Sequence, residues 1–177
     1  MKISETLSQF TGVQAFLAVA GMHAGVIYQA HEGEVKKLES FEVEIPKYSD
    51  HEGFYARGGK GGTYVTGSVR EVKKSDIEKQ FIKEMSGRIA KTLAPFMGNS
   101  LIEVYLFAPR EILPMLSRAL PVNVRKCIRD NLQGNYVHVP PPELIGMLKQ
   151  KKTESIESLK QSLAKPEAKK LLKKKEK

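Results

Sequence analysis

Residues 101–109 read Leu-Ile-Glu-Val-Tyr-Leu-Phe-Ala-Pro, an apolar run that contains one glutamate and ends at a proline. A short apolar run bounded in this way is typical of a buried β-strand. Proline is favoured at the first position of a helix, because the backbone N–H that it lacks has no partner there. The sequence therefore predicts a strand over Leu101–Phe107 and a helix from Pro109 to Leu120, kinked in its first turns by Pro114.

Three further strands are predicted ahead of this unit. Two short apolar runs, Ala15–Ala20 and Gly25–His31, flank the break Gly21-Met22-His23, which indicates two strands joined by a tight turn. The next segment, Val35–Ile45, alternates apolar and acidic residues in its second half, as a strand with one buried face does. Leu38 is out of register with that alternation, so we expect a β-bulge near Lys37. Together these strands form an antiparallel meander.

The remaining elements complete an α/β domain. Ser75-Asp76-Ile77-Glu78 has the pattern of a capping box, and apolar residues at a spacing of four follow it as far as Pro95, which predicts an amphipathic helix. A last strand is predicted over Val124–Leu132, and a short helix over Glu143–Lys149. This order of elements predicts a mixed β-sheet with helices packed on it.

The positive charge of the chain is concentrated at its carboxyl-terminal end. The 177 residues carry a formal charge of +9, but residues 149–177 hold 11 Lys against 4 Glu. Residues 1–148 hold 18 Lys and Arg against 16 Asp and Glu, so their net charge is only +2. We expect one domain over residues 1–150 and a Lys-rich tail over residues 151–177, partly helical or disordered.

A glycine-rich basic segment is the candidate binding element. Residues 46–74 contain six of the 14 Gly and show no strand or helix period, which predicts a long flexible loop inside the domain. Between Arg57 and Lys74 there are five basic residues and one glutamate. Glycines let backbone N–H groups approach a phosphate while the cations neutralise it; alternatively, these charges are simply solvated. The candidate RNA- or anion-binding residues are Arg57, Gly58, Gly59, Lys60, Gly61, Gly62, Arg70, Lys73 and Lys74.

Several kinds of site are not expected. The chain has three Asp, too few and too scattered for the converging carboxylates of a metal nuclease, and its four His have no metal-ligand spacing. The single cysteine, Cys127, cannot form an internal disulfide. The apolar stretch near the beginning is interrupted by polar residues and glycines, so neither a signal peptide nor a membrane span is predicted. We therefore expect a cytoplasmic protein with no metal, no cofactor and no membrane partner.

Three stretches resemble motifs of the bacterial host-attachment protein family, which is also described as related to the eukaryotic-type peptide-chain release factor. Leu106–Leu113 is similar to the family's strand, Ala-Pro-Pro-Arg and helix signature, and Leu120–Arg125 to its Leu-x-Pro-x-x-Arg stretch. Asn131-Leu132 followed by Val137–Leu144 resembles its ending. The resemblance covers roughly Phe16 to Leu148.

The resemblance implies the fold of a release-factor middle domain, which is RNase H-like. In release factors the equivalent loop carries a Gly-Gly-Gln tip, and the matching place here is Gly58-Gly59-Lys60. Because the glutamine is absent, peptidyl-tRNA hydrolysis by the release-factor mechanism is not expected.

Three functional hypotheses follow. The first is a non-catalytic, translation-associated module that binds ribosomal RNA or tRNA on the ribosome through the loop and the basic tail. The second is a hydrolase of an ester such as peptidyl-tRNA, which positions water without glutamine. The third is a protein-interaction module of the host-attachment type.

Overall fold

The structure, a computed structural model, describes residues 1–43, 74–98 and 101–164, with side chains described for residues 1–43, 75–98 and 101–157. Five strands form one sheet in the order β3-β2-β1-β4-β5. The strands are β1 (Gln14–Ala20), β2 (Ala24–His31), β3 (Glu34–Glu42), β4 (Ile102–Ala108) and β5 (Ile128–Gln133). The helices are α1 (Lys74–Leu93), α2 (Ile112–Ala119), α3 (Val122–Lys126) and α4 (Pro141–Ala164), and a short 3₁₀ turn (Ala94–Phe96) follows α1. The predicted α/β class with a mixed sheet is confirmed, and the RNase H-like arrangement stays a prediction.

The first three strands form the predicted antiparallel meander. Ala20 lies opposite Gly25 in the first pair, and the β2–β3 pair continues to the end of β3. Its register shifts by one residue, since Ile27 lies opposite Glu39 whereas Tyr28 lies opposite Lys37. The extra residue is Leu38, the apolar residue that is out of register with the alternation in the sequence. The predicted bulge beside Lys37 is therefore confirmed.

The other two strands are parallel to β1. Phe16 lies opposite Val104 in β4, and Phe107 of β4 lies opposite Leu132 in β5. Strands β1, β4 and β5 therefore all end at one edge of the sheet, which we call the carboxyl edge, and begin at the other, the amino edge. Because parallel neighbours need a crossover, α1 lies on the path from the meander to β4, and α2 and α3 join β4 to β5.

Helices cover both faces of the sheet, and β1 is buried on both sides. Its alternating side chains enter two different cores: Phe16 packs with residues of α1, α2 and α3, whereas Leu17 packs with residues of α4. This explains why β1 reads as a continuous apolar run rather than as an alternating one. The first core includes Phe81, Ile89, Leu106 and Leu116, and the second includes Val19, Phe107, Leu144 and Ile145.

Several boundaries differ from the predictions. Helix α1 begins at Lys74, one residue before the predicted cap at Ser75, and α2 begins at Ile112, not at Pro109. Pro114 is the third residue of α2, where a backbone N–H has no acceptor within the helix, so the helix accommodates it. The prediction of one strand over Val124–Leu132 is wrong in its first part, which belongs to α3.

The predicted short helix over Glu143–Lys149 is wrong in its length. Helix α4 has 24 residues and continues without a break through residue 150. Three consecutive prolines, Pro140, Pro141 and Pro142, mark where the helix starts, because the N–H groups of a first helical turn have no acceptor within the helix.

Candidate nucleic-acid interface

Residues 44–73 leave the described domain at the carboxyl edge. Strand β3 ends beside the beginning of β2, where Ala24 lies opposite Glu42. The next residue, Val43, donates its backbone N–H to the carbonyl oxygen of His23, 2.7 Å away in the β1–β2 turn. That turn follows directly on the end of β1, so this end of the segment lies at the carboxyl edge.

The same segment re-enters the domain at that edge, because of the direction in which α1 runs. Near its start, the ring of Phe81 stacks on Phe41 of β3 with centroids 5.6 Å apart. Farther along, Arg88 reaches Glu39 of β3. The turn after the helix brings Phe96 to 5.2 Å from Phe16 at the beginning of β1. Helix α1 therefore starts at the carboxyl edge and ends at the amino edge.

The predicted site residues belong to this segment and to its junction with α1. Lys74 is the first residue of α1, at the carboxyl edge. The other eight lie outside the described residues: Arg57, Gly58, Gly59, Lys60, Gly61, Gly62, Arg70 and Lys73. Their role in binding stays a prediction, and the fold fixes where both ends of their segment are attached.

A tight turn of β1 and β2 forms the middle of this edge. Gly21 donates its N–H to the carbonyl of Ala24 at 2.8 Å, which closes the turn. A Cβ atom at Gly21 would lie 2.7 Å from Cγ2 of Val137, so only glycine fits beneath the segment that follows β5. Nδ1 of His23 is buried and has no hydrogen-bond partner among the described residues.

The Ala-Pro-Arg motif forms the next part of the edge. The carbonyl of Ala108, the last residue of β4, accepts a hydrogen bond from the N–H of Gly134 at 3.0 Å. The carbonyl of Pro109 accepts from the backbone N–H groups of Ile112 and Leu113, at 3.1 and 2.9 Å, and so holds the start of α2. Arg110, which follows Pro109 directly, is exposed. The motif thus fixes a turn that presents a cation beside the ends of the strands.

The segment between β5 and α4 completes the edge. Tyr136 packs edge-on against Phe107 with ring centroids 5.6 Å apart, and its hydroxyl donates to the carbonyl of Gln133 at 3.0 Å. Asn135 and His138 are exposed on either side of this anchor. These exposed groups can donate hydrogen bonds at the edge, where the exposed carboxylates of Glu42 and Glu111 also lie.

A cluster of paired charges lies on the α1–β3 surface and was missed by sequence reasoning. The Arg88 guanidinium donates to Glu84 at 2.5 Å and to Glu39, and lies 4.5 Å from the ring centroid of Phe41. Hydrogen bonding to Glu84, with a contribution from Glu39, raises the pKa of Arg88. The spacing of Glu84 and Arg88 could have signalled one pair; the contact with Glu39, 49 residues away, could not be read from the sequence.

An open groove of about 480 Å³ runs beside this cluster, lined also by Gln80, Lys83, Gly87 and Lys91. Its carboxylates are already bound to Arg88, which makes it a structural junction between α1 and β3. Among the described residues no three potential metal ligands come together. Within the same part of the chain, no helix is long and apolar enough to cross a membrane.

Residues 29–148 match the sequence profile of a family described as "Protein required for attachment to host cells". The match covers more than half of the chain and includes all three stretches that carried the resemblance. The chain belongs to this host-attachment family. The Ala-Pro-Arg turn described above, with Arg110 at the carboxyl edge, lies within the matched residues. No curated protein sequence matches the chain.

Two solved structures illustrate how this host-attachment family member compares with known folds. One is described as an archaeal protein, with a TM-score of 0.47, and the other is a crystal structure of an archaeal translation termination factor, with a TM-score of 0.48. Both are 13% identical to this chain and cover 86% of it. The chain covers only 40% and 41% of their respective lengths, so it spans less than half of each.

Proposed function

We propose that this protein is a non-catalytic RNA-binding module of the translation apparatus, which contacts ribosomal RNA or tRNA through residues 57–74. One observation carries the proposal: both ends of the glycine-rich basic segment are attached to the carboxyl edge, the edge on which the exposed Arg110 also lies. The segment from Arg57 to Lys74 carries a net charge of +4. Phosphates bind where cations and accessible backbone N–H groups come together.

The basic tail adds a second source of affinity. Residues 149–177 carry a net charge of +7, and lysines that neutralise phosphates release counterions without reading sequence. Binding should therefore weaken steeply as salt rises. This role places the protein in the cytoplasm, as the sequence predicts.

Co-sedimentation with purified ribosomes across a salt series tests the proposal. A loop variant with Arg57, Lys60, Arg70 and Lys73 changed to Gln removes four cations, which should lower the slope of log affinity against log salt by about 3, since each phosphate contact contributes about 0.7. The matched control also removes four positive charges, from exposed lysines that lie before β1, in β3 and in α1. These are Lys2, Lys36, Lys37 and Lys83. Failure of the intact protein to sediment with ribosomes at low salt overturns the proposal.

A shortened chain separates the tail from the fold. Removing residues 165–177 leaves all of α4 in place and deletes seven lysines. It should weaken ribosome association and leave thermal unfolding unchanged.

A cell-free peptide-release assay of the intact protein tests the hydrolase alternative. Peptide release that depends on Lys60 would replace the binding proposal.

The family description favours a second candidate, a protein-interaction module involved in attachment to host cells. Recovery of envelope proteins and no ribosomal components in a pull-down would support it and would count against RNA binding.

A further inference from the structure

A second basic surface lies where the end of α2, the short helix α3 and the beginning of β5 follow one another, and no predicted site residue belongs to it. Residues 112–129 contain four basic residues and no Asp or Glu. All four basic residues are exposed: Arg118, Arg125, Lys126 and Arg129. We call these four residues the basic turn. Its net charge of +4 equals that of the segment from Arg57 to Lys74, in a stretch of similar length.

The fold holds the basic turn rigidly. Leu120 is buried and donates its N–H to the Leu116 carbonyl at 3.1 Å, which anchors the end of α2. The carbonyl of Pro121 accepts from the N–H of Arg125 at 2.9 Å. The carbonyl of Cys127 accepts from the N–H of Val104 at 2.8 Å, so the turn is joined to the beginning of β4. The four cations therefore project from a fixed backbone.

The charges of the basic turn are poorly compensated. Nε of Arg129 lies 3.8 Å from Glu103, yet its side chain is 68% exposed, and Glu103 also accepts a 2.6 Å hydrogen bond from the Tyr105 hydroxyl. Asp130, the next acid along the chain, is bound by Lys151. Basic residues in the last turn of a helix interact favourably with the helix dipole, and this alone can explain their presence there. Arg129 lies in a strand, so that role does not explain the whole set.

The basic turn lies at the amino edge, opposite the attachment points of residues 44–73. Ile128, the first residue of β5, lies opposite Val104 near the beginning of β4. The contact of Lys151 with Asp130 brings α4 to the same end of the sheet, from which the rest of the helix continues toward the tail. Residues 149–177, which carry a net charge of +7, thus begin near the basic turn.

We propose that the basic turn is a second phosphate-binding surface, which contacts the RNA backbone at the amino edge; this rests on the proposed function. Three of its four cations are arginines, whose guanidinium groups present paired donors to phosphate oxygens. Residues 112–129 contain no aromatic residue on which a base could stack, so the contact is with the backbone and is blind to sequence.

Fluorescence anisotropy with a labelled 40-nucleotide single-stranded RNA, run over a salt series, tests this surface. The variant carries Arg118→Gln, Arg125→Gln, Lys126→Gln and Arg129→Gln in the full chain. Its salt slope should fall by about 3, because four phosphate contacts are lost. The control variant of Lys2, Lys36, Lys37 and Lys83 should keep the slope of the intact protein, and circular dichroism with thermal melts checks that each variant folds.

The outcomes separate the two proposals. If the intact protein binds neither this RNA nor ribosomes, the proposed function fails and the basic turn fails with it. If the intact protein binds, the loop variant weakens and the basic-turn variant keeps the full slope, only the basic turn is overturned. Competition by polyglutamate as effective as that by RNA at equal charge would make the basic turn a carboxylate-binding surface and overturn the RNA assignment.

Discussion

Lys151 of α4 donates two hydrogen bonds to β5, one to the Asp130 carboxylate and one to the Asn131 carbonyl. The donor–acceptor distance is 2.5 Å in both. The contact joins the last helix to an edge strand across 20 residues of sequence. It also neutralises the first acid after the acid-free stretch that carries the basic turn. One side chain therefore serves the packing of α4 and the electrostatics of the amino edge.

Replacing Lys151 with Ala should destabilise the protein by about 0.5 kcal/mol, because both side chains of this pair are partly exposed and such pairs contribute little. Urea unfolding measures the change. Lys152→Ala is the matched control, since Lys152 is exposed on the same helix. Equal effects of the two changes would show that the contact with Asp130 contributes nothing to stability.

Gly21→Ala should destabilise the fold by about 1–3 kcal/mol, the usual cost of forcing atoms into a packed site. The new methyl carbon would lie 2.7 Å from Val137, a stiff β-branched residue, and 3.3 Å from the carbonyl oxygen of Ala24. Thermal and urea unfolding provide the measurement.

Gly87→Ala is the control for Gly21→Ala and should change stability in the opposite direction. A Cβ atom at Gly87 meets nothing within 4 Å, and alanine in a helix interior is favoured over glycine by about 0.8–1 kcal/mol. Loss of stability at both positions would point to a general intolerance of added atoms, contrary to the steric account of Gly21.

Arg88→Lys should cost about 1 kcal/mol, because an ammonium group cannot reproduce the planar fork that contacts two carboxylates and an aromatic face. The side chains of Arg88, Glu39 and Glu84 are each about one-third exposed, so solvent limits the effect. A double-mutant cycle with Glu39→Gln isolates the contact between α1 and β3. A coupling energy of zero would contradict the assignment of this cluster as a structural junction.

Stability should fall as the pH rises above about 10. Burial, and then the hydrogen bond to Glu103, raises the pKa of Tyr105 above its ordinary value of 10.0, and burial also raises the pKa of Tyr28. Above pH 10 the unfolded chain releases these protons while the folded chain retains them, so alkaline conditions favour unfolding.

Urea unfolding between pH 8 and pH 11 measures this dependence. Tyr105→Phe should reduce the fall of stability over that range, because the variant has no proton to release at this position. Tyr28→Phe serves as a comparison with a smaller expected change. A pH profile for Tyr105→Phe that coincides with that of the intact protein would refute the assignment.

The parts of the fold that were predictable are those with a clear period. The meander, its bulge beside Lys37 and the amphipathic helix α1 all depend on local patterns of apolar residues. Helix α3 was missed because its five residues are too few to show a helical period, and only Val124 among them is buried. Helix α4 was predicted too short because its second half is mostly polar and exposed in the described side chains, which removes the contrast between faces.

The candidate site was predictable only in its composition. The glycines and cations from Arg57 to Lys74 are visible in the sequence, and so is the proline turn before Arg110. The attachment of both ends of their segment to the edge where Arg110 lies depends on β4 being parallel to β1 and on the direction of α1, which are tertiary facts. The basic turn was overlooked because its four cations are spread over a helix end, a short helix and a strand.

Strand β4 also sets the distance between the two edges at which we propose contact with RNA. Its seven residues span about 23 Å at a rise of about 3.3 Å per residue, and its two ends mark the carboxyl edge and the amino edge. Under these two proposals, an RNA shorter than this span reaches only one edge at a time. A longer one that reaches both gains avidity, because the first contact raises the effective concentration of the second. The affinity for RNA would then rise above a threshold length of the RNA, and the length of strand β4 would set that threshold.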